Sequence, residues 1–267
     1  MFDHNRYILR EYTITADRIS KDATFVFLSD LHNKEYGMQN EALILDIIKI
    51  NPDAILVAGD MITARESESG EQAISFLKKL AARYPVYYGF GNHESRMRRH
   101  PEVYQKNYQR FYQELEACGV CFLLNQNRIL PEWNITIYGL ELSAKYYKKT
   151  KKHSMDDRYM ETSLGTSQKK DGMFNLLLAH NPEYFENYAK WGADLVLAGH
   201  IHGGIIRFGR LGGLISPSLR FFPKYDGGRF EIEKSTMILS RGLGMHTIPL
   251  RICNPAELIV LKLQKSV

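Results

Sequence analysis

The sequence predicts an α/β fold in which strands and helices alternate and much of the strand pairing is parallel. Short apolar runs recur along the chain, and stretches with helical spacing lie between the earlier ones. Pro and Gly residues, for example Pro85 and Gly192, separate many of the neighbouring elements. Because parallel strands need long crossover connections, which helices usually provide, this alternation favours a layered α/β arrangement.

The strand predictions rest on apolar runs that are short and lack a helical period. Runs of about four to eight apolar residues between turn signals are typical of strands buried on both faces. In chain order, the predicted strands cover residues 24–29, 54–58, 86–90, 120–124, 135–140, 175–179, 195–198, 236–240 and 258–263.

Helices are predicted where apolar residues recur at the spacing of one helix face. Three such helices cover residues 41–50, 71–83 and 183–191. The clearest helix carries an aromatic stripe, which is typical of a face that packs on the core. This stripe consists of Tyr104, Tyr108, Phe111, Leu115 and Cys118.

We expect one domain over residues 1–267, because candidate site residues lie on both sides of the longest polar segment. That segment, residues 145–172, is rich in Lys, Ser and Asp, and we interpret it as an insertion or a lid over the site. A second, Gly-rich loop covers residues 203–229. Its apolar cluster would suit an acyl chain at the rim of a site, and core packing explains it as well; the cluster is Leu219, Phe221 and Phe222.

The composition excludes several classes of protein. With 44% hydrophobic and 24% charged residues, the chain is ordinary for a globular protein, and disorder is not expected. The net charge of +5 fits an anionic substrate, but no dense Lys/Arg stripe gives a strong nucleic-acid signal. No apolar run approaches the roughly 18 residues of a membrane span, and residues 1–13 lack the apolar core of a signal peptide.

The three cysteines bear on the compartment and on metal binding. An odd and sparse count argues against a disulfide framework and for a reducing environment, so we expect a cytoplasmic protein. Cys118 and Cys121 form a C-x-x-C, but without a second pair this spacing is weak evidence for zinc. We interpret both as small buried thiols; the third cysteine is Cys253.

Polar residues repeatedly follow the apolar runs, at the points where they should end a buried strand. In parallel sheets, ligands bind at the carboxyl ends of the strands, so these residues predict one shared site at one sheet edge. The candidate donors are Asp30, His32, Asp60, Asn92, His180, His200 and His202.

These donors are carboxylates, imidazoles and an amide, with no thiol among them. Such ligands suit Mn, Fe or Zn. Residues two apart on a strand face the same side, so D-x-H at 30–32 and H-x-H at 200–202 each present two donors together. Catalytic metal pairs lie roughly 3.5–4 Å apart, and a set of seven donors from several segments predicts a dinuclear centre of this kind.

The same residues resemble the five-part signature of the calcineurin-like metallophosphoesterases, in order from about residue 24 to 204. The later stretch is similar to a small, single-domain bacterial branch of that superfamily, through His202-Gly-Gly, Arg207, Gly227-Gly228 and Arg241-Gly-Leu-Gly244. The resemblance implies a four-layer αββα sandwich of two mixed sheets flanked by helices. It also implies a hydrolase that acts on phosphoester bonds with two divalent metal ions.

The resemblance further implies how the residues divide between the ions. A first ion is held by Asp30, His32 and His202. A second ion is held by Asn92, His180 and His200, and Asp60 bridges the pair. A hydroxide between the ions attacks phosphorus, since metal binding lowers the pKa of water to about 7. His93, as a protonated imidazole, is the expected general acid for the leaving alkoxide.

The best-supported function is therefore a phosphodiesterase that acts on a small phosphoester, because a poor alkoxide leaving group needs an acid. A non-catalytic metal-binding scaffold on the same fold and a nuclease are the alternatives. Phosphomonoesters, nucleotides and lipid-linked pyrophosphates also stay open as substrates. Glu94 either orients His93 or makes a local backbone contact. The sequence leaves the roles of four further residues open: Arg96, Arg207, Arg241 and His246.

Overall fold

The computed structural model describes residues 5–148, 153–167, 172–204, 207–208, 212–213, 223–245 and 251–266. Its strands are β1 (Tyr7–Ala16), β2 (Ala23–Leu28), β3 (Ala54–Val57), β4 (Val86–Tyr88), β5 (Cys121–Phe122), β6 (Gln126–Leu130), β7 (Ile135–Leu140), β8 (Phe174–Ala179), β9 (Leu195–Ala198), β10 (Arg207–Phe208), β11 (Gly212–Gly213), β12 (Gly228–Ile232), β13 (Ser235–Leu239) and β14 (Ala256–Lys265). The α-helices are α1 (Glu41–Ile50), α2 (Glu71–Ala81), α3 (Asn92–Arg99), α4 (Pro101–Ala117), α5 (Tyr159–Leu164) and α6 (Phe185–Trp191).

The strands form two six-stranded mixed sheets and a short ribbon of β10 and β11. The first sheet has the order β1-β14-β2-β3-β4-β5, parallel from β2 to β5, with β14 antiparallel to β2. The second sheet has the order β12-β13-β9-β8-β7-β6, parallel from β13 to β7 and antiparallel at both edges. The predicted prevalence of parallel pairing is confirmed.

The alternation of side chains along the strands builds four layers. In β2, Val26 and Leu28 pack with the helices of the first half, whereas Phe25 and Phe27 pack with residues of the second sheet. On the far side of the second sheet, Leu177 belongs to a cluster with apolar residues of α5 and α6. Successive strand residues point to opposite faces, so one apolar run supplies two core layers. The predicted αββα sandwich is confirmed.

The predicted aromatic stripe of α4 is a core face, as expected, because Tyr104, Phe111 and Leu115 are buried in the first helical layer. Some boundaries differ from the prediction. The strand predicted at 86–90 ends at Tyr88, and the strand predicted at 120–124 contains only β5. The segment after β4 leads to Asn92 at the start of α3, and the segment after β5 leads to β6.

Five of the described strands and two of the described α-helices were not predicted, namely β1, β6, β10, β11, β12, α3 and α5. β1, β6 and β12 carry many exposed side chains because they are sheet edges, so no continuous apolar run announces them. Helix α3 is short and strongly charged, and it begins at Asn92 itself. Within the insertion at 145–172, the short helix α5 packs next to α6 and β7, while residues 149–152 and 168–171 lie outside the described residues. The lid role stays a prediction.

Candidate metal centre

The loops that carry the candidate donors meet at the carboxyl ends of neighbouring parallel strands. Asp30 and His32 follow β2, Asp60 follows β3, and these two strands are adjacent in the first sheet. His180 follows β8 and the segment 200–202 follows β9, which are adjacent in the second sheet. Asn92 is the first residue of α3 and not a strand end. The structure thus brings the predicted donors of both sheets to one edge.

A first cluster of ligand atoms consists of Asp30, His32 and His202. The two imidazole Nε2 atoms lie 3.1 Å apart, and His202 Nε2 lies 3.3 Å from Asp30 Oδ1. His32 Nε2 lies 3.9 Å from the same oxygen. An ion with metal–ligand bonds of about 2.1 Å holds neighbouring ligand atoms roughly 3.0–3.4 Å apart. The spacing of this cluster is therefore close to what one shared cation requires.

A second cluster surrounds Asp60. Its Oδ2 atom lies 3.0 Å from His180 Nε2 and 4.0 Å from the Nε2 atoms of both His32 and His93. Ligand atoms of Asp60, His180 and His200 all lie within 4.8 Å of one another. His180 Nε2 is also 3.7 Å from Asp30 Oδ1, so the two clusters are contiguous. Asp60 occupies the position between them.

Two groups in the second cluster, an imidazole nitrogen and an amide oxygen, are placed where a cation could bind them. The Nδ1 atom of His180 donates to the Ala58 carbonyl at 2.6 Å, so Nε2 is the nitrogen that faces the cluster. The side-chain oxygen of Asn92 is buried and has no hydrogen-bond partner among the described residues. Buried oxygen and nitrogen acceptors without donors are costly unless a proton or a cation reaches them. These residues therefore fit a metal ion.

Five of the candidate donors have left-handed backbone geometry. Their φ angles lie between 49° and 74°, which is rare for residues other than glycine. Each such residue costs on the order of 1–3 kcal/mol unless the surroundings enforce it, and such strain clusters at functional sites. The five residues are Asp30, His32, Asp60, His200 and His202.

Glycines make room for the two carboxylates. A Cβ atom on Gly91 would lie 2.2 Å from Asp60 Oδ1, and one on Gly199 would lie 2.2 Å from Asp30 Oδ2. Both contacts are far inside van der Waals distance. The glycine before Asn92 and the glycine before His200 are therefore required for the carboxylates to reach the cluster.

The two buried carboxylates and the imidazoles perturb one another strongly. Burial lowers the pKa of His180, but the charges of Asp60 and Asp30 outweigh this effect and raise it to about 10. Burial raises the pKa of Asp60, yet His180, His93 and His32 hold it well below the usual value. Burial raises the pKa of Asp30 to about 6. The pocket thus attracts positive charge, and a metal ion can replace a proton there.

Glu94 makes the local backbone contact that was one of its two expected roles. Its Oε2 atom accepts hydrogen bonds from the backbone N–H groups of Asp60 and Gly91 at 2.9 and 3.0 Å. Its Oε1 atom accepts from Met61 N–H at 2.9 Å and from the Tyr88 hydroxyl at 2.7 Å. None of these bonds involves His93. Glu94 thus ties the Asp60 loop to the start of α3.

Replacing Glu94 by glutamine should break two of these hydrogen bonds. The new amide nitrogen is itself a donor, and it would face two other donors in place of the carboxylate oxygen that accepted from them. Two buried donors then lose their acceptor, at about 1–3 kcal/mol each, so we expect unfolding to become easier by about 2–6 kcal/mol. Urea unfolding of the metal-free protein measures this change. Glu114→Gln, on the surface of α4 and paired with Lys78, is the matched control and should change little. Equal stabilities of the two variants would contradict the role of Glu94.

His93 lies beside Asp60 with its side chain 22% exposed. Its backbone N–H donates to Asp60 Oδ1 at 2.8 Å, and its Nδ1 atom accepts from Ala64 N–H at 2.8 Å. An acceptor nitrogen carries no proton, so the ring proton lies on Nε2. Burial lowers the pKa of His93, with Arg96 and Arg65 adding to this effect, while Asp60 opposes it. In this geometry Nε2 carries the proton on the side of Asp60, and the protonated state expected of a general acid stays a prediction.

The sequence left the roles of several further residues open, and the structure describes the contacts of two of them, Arg96 and Arg241. Arg96 is exposed and lies over the ring of Tyr104 at 5.9 Å. Arg241 donates its backbone N–H to Glu257 and directs Nε toward the same carboxylate at 3.7 Å. Arg241 therefore forms an ion pair with Glu257, and its role at the site stays open. The other candidates lie outside the residues whose side chains are described, namely Arg207, Leu219, Phe221, Phe222 and His246.

The cysteines are free thiols, as expected. Cys118 and Cys121 are half-buried and Cys253 is exposed, so the expectation of buried thiols holds only in part. The metal-capable clusters found in the described part of the chain contain Asp and His and no Cys.

The two-sheet sandwich and its Asp/His/Asn cluster define a metallophosphoesterase. The family model described as Calcineurin-like phosphoesterase matches residues 23–204, and the chain belongs to this family of enzymes. It is 28% identical to the uncharacterized metallophosphoesterase YkuE of Bacillus subtilis, over 90% of this chain and 79% of that protein. It is 26% identical to the phosphodiesterase YaeI of Escherichia coli, over 82% of this chain and 74% of that protein.

Solved structures share the fold at low sequence identity. The NAD nucleotidase NadN of Haemophilus influenzae has a TM-score of 0.52 and 14% identity, over 83% of this chain and 45% of that chain. A 5′-nucleotidase precursor from Thermus thermophilus has a TM-score of 0.51 and 14% identity, over 83% of this chain and 49% of that chain. This chain thus spans less than half of each. Among the described residues, no helix is both long and apolar enough to cross a membrane.

Proposed function

We propose that this chain is a dinuclear metal-dependent phosphodiesterase. The observation that carries the proposal is the position of Asp60 Oδ2, which lies 4.0 Å from His32 Nε2 of the first cluster and 3.0 Å from His180 Nε2 of the second. A carboxylate oxygen in this position suits a ligand shared by two ions. The similarity to YaeI, which is named a phosphodiesterase, supports the same substrate class.

The ligands divide between two ions along the two clusters. Asp30, His32 and His202 would hold one ion. Asn92, His180 and His200 would hold the other, and Asp60 would belong to both. Mn, Fe and Zn all suit this set of nitrogen and oxygen donors. When bound, the ions supply a hydroxide nucleophile at neutral pH and neutralise charge on the phosphate.

His93 would act on the leaving group. The Ala64 N–H group holds Nδ1 as an acceptor, so the ring can offer its proton only from Nε2, on the side of Asp60. A protonated His93 in this position can hydrogen-bond through Nε2–H to the departing oxygen and transfer that proton to it as the P–O bond breaks, which leaves the imidazole neutral. Diesters with alkyl leaving groups need this help most, because an alkoxide is a poor leaving group.

The basic run after His93 does not favour the nuclease alternative. Arg98 forms an ion pair with Glu141 at 2.5 Å, and Arg99 donates to the Leu142 carbonyl at 3.5 Å. Both arginines are therefore engaged with the segment after β7. A nucleic-acid groove would instead need cations directed outward, with aromatic residues for base stacking.

The proposal predicts activity that depends on bound metal. Purified protein should contain two ions per chain, and treatment with a chelator should abolish hydrolysis of bis-p-nitrophenyl phosphate. Adding Mn²⁺ back should restore it, because hydroxide formation requires the ions. Metal analysis and a phosphoester panel on one sample provide the measurement.

Three outcomes would contradict the proposal. Two bound ions without turnover of any phosphoester would favour a non-catalytic scaffold. Faster hydrolysis of p-nitrophenyl phosphate than of the diester would favour a phosphomonoesterase. Salt-sensitive binding and cleavage of single-stranded nucleic acid would favour a nuclease.

A further inference from the structure

The C-terminal part of the chain reaches back to the metal centre through two side chains that the proposed chemistry does not use. Arg251 and Asn254 lie just before β14, and both donate hydrogen bonds to backbone carbonyls beside the candidate ligands. We call these two residues the C-terminal clamp. Neither one stood out in the sequence, because neither belongs to the donor pattern.

Arg251 is surrounded by backbone carbonyl groups. Its Nη2 atom donates to the carbonyls of Arg241 at 2.7 Å, Gly242 at 3.2 Å and Gly244 at 2.5 Å. Its Nη1 atom donates to the His202 carbonyl at 3.4 Å. Burial lowers the pKa of its guanidinium, and the negative charges of Asp30 and Glu257 oppose this effect. Backbone carbonyl oxygens thus accept the hydrogen bonds that an exposed guanidinium would donate to water.

Asn254 fastens the turn that carries His202. Its side-chain amide donates to the carbonyls of His202 and Gly204, both at 2.7 Å. The His202 carbonyl therefore accepts from both clamp residues. His202, Gly203 and Gly204 all have φ angles between 53° and 83°, which glycine adopts freely but which strain the backbone at His202. A strained turn persists only where its surroundings hold it, and the clamp provides the hydrogen bonds.

The segment that Arg251 binds also contacts the other side of the first cluster. Leu243 N–H donates to the Ser29 carbonyl at 3.2 Å, and Gly244 N–H donates to the Asp30 carbonyl at 2.5 Å. The clamp thus holds both Asp30 and His202 through their main chains. Within the described part of the chain, none of the hydrogen bonds of the clamp reaches Asp60, Asn92 or His180.

We infer that Arg251 and Asn254 are positioning residues that hold the Asp30–His202 half of the centre in its metal-binding geometry. This inference rests on the proposed function, because it assigns the clamp to one of the two proposed ions. Its distinguishing consequence is selectivity. Loss of the clamp should weaken the ion held by Asp30, His32 and His202, and should leave the ion held by Asn92, His180 and His200.

The test measures metal affinity and not turnover. The metal-free full-length protein is titrated with Mn²⁺ by calorimetry, as wild type and as Arg251→Met. The wild type should bind two ions. Arg251→Met should bind one with unchanged affinity and the other about 10–100-fold more weakly, the usual effect of losing an outer-shell partner. Arg251→Lys, which keeps the charge and some donors, should lie between them.

Two further variants complete the test. Arg229→Met is the matched control, because Arg229 lies on β12 and bonds to Glu231 and the Thr13 carbonyl, away from the centre. Asn254→Ser removes the other half of the clamp and replaces Arg251→Met if that variant does not fold. It should weaken the same ion, because both clamp residues bond to the His202 carbonyl.

The outcomes separate this inference from the proposed function. A wild type that binds no metal contradicts the proposed function itself. A wild type that binds two ions, with clamp variants that keep both affinities, contradicts only the clamp. Equal weakening of both ions, with a lower melting temperature, would also contradict it, since that result shows a general loss of stability.

Discussion

Replacing Asp60 by asparagine is expected to abolish turnover and to remove at least one of the two metal ions. The asparagine keeps the size of the side chain but removes a negative charge that lies 3.0–4.0 Å from three imidazole nitrogens. One unit charge at about 4 Å is worth about 4 kcal/mol at an effective dielectric constant of 20. This energy corresponds to at least about 10³-fold in metal affinity, which calorimetric titration with Mn²⁺ measures.

The matched control for this variant is Asp194→Asn. Asp194 is also buried, but it pairs with Arg18 at 2.8 Å and accepts a hydrogen bond from Asn175 N–H at the start of β8 and β9. We expect this control to lose stability while it retains both ions. If Asp60→Asn kept both ions at wild-type affinity, the bridging role of Asp60 would be wrong.

The second large effect is expected for His93→Ala, and its size should depend on the leaving group. For dialkyl phosphodiesters we expect a loss of about 10²–10⁴-fold in kcat, because an alkoxide must be protonated as it departs. For bis-p-nitrophenyl phosphate the loss should be far smaller, since p-nitrophenolate leaves unaided. Steady-state rates for both substrates, at saturating Mn²⁺, provide the comparison.

Two further variants sharpen the assignment of His93. His100→Ala is the control, because His100 is exposed and pairs with Glu102 at 2.9 Å on the surface. His93→Gln can donate a hydrogen bond but cannot transfer a proton at neutral pH. Recovery of the dialkyl rate by glutamine would show a hydrogen-bonding role in place of acid catalysis. Equal losses on both substrates would exclude His93 from either role.

Much of the architecture was readable in the sequence because its inner strands are buried on both faces. The run from residue 24 to 28 is almost continuously apolar, and a strand was predicted at 24–29 for that reason; β2 covers Ala23–Leu28. Edge strands give no such signal. β1 has ten residues, but its outward side chains are polar or half-exposed, and only its pairing with β14 reveals it.

The candidate site also contains residues that the sequence indicates and residues that only the structure reveals. The candidate donors could be proposed from the sequence because Asp and His after apolar runs are unusual and form a repeated pattern. Glu94, Arg251 and Asn254 have roles that depend on backbone N–H and carbonyl groups of distant residues. A backbone group has the same chemistry at every position, so a sequence cannot indicate which one a side chain will bind.

The sequence by itself determined the α/β order, the family and the set of residues available to bind metal, because side-chain chemistry and periodicity are properties of the chain. The tertiary structure alone decided the left-handed turns that aim Asp30, Asp60 and His202, and the tautomer of His93. Both depend on hydrogen bonds between segments that are far apart in the chain, and these bonds exist only once the two sheets have packed together.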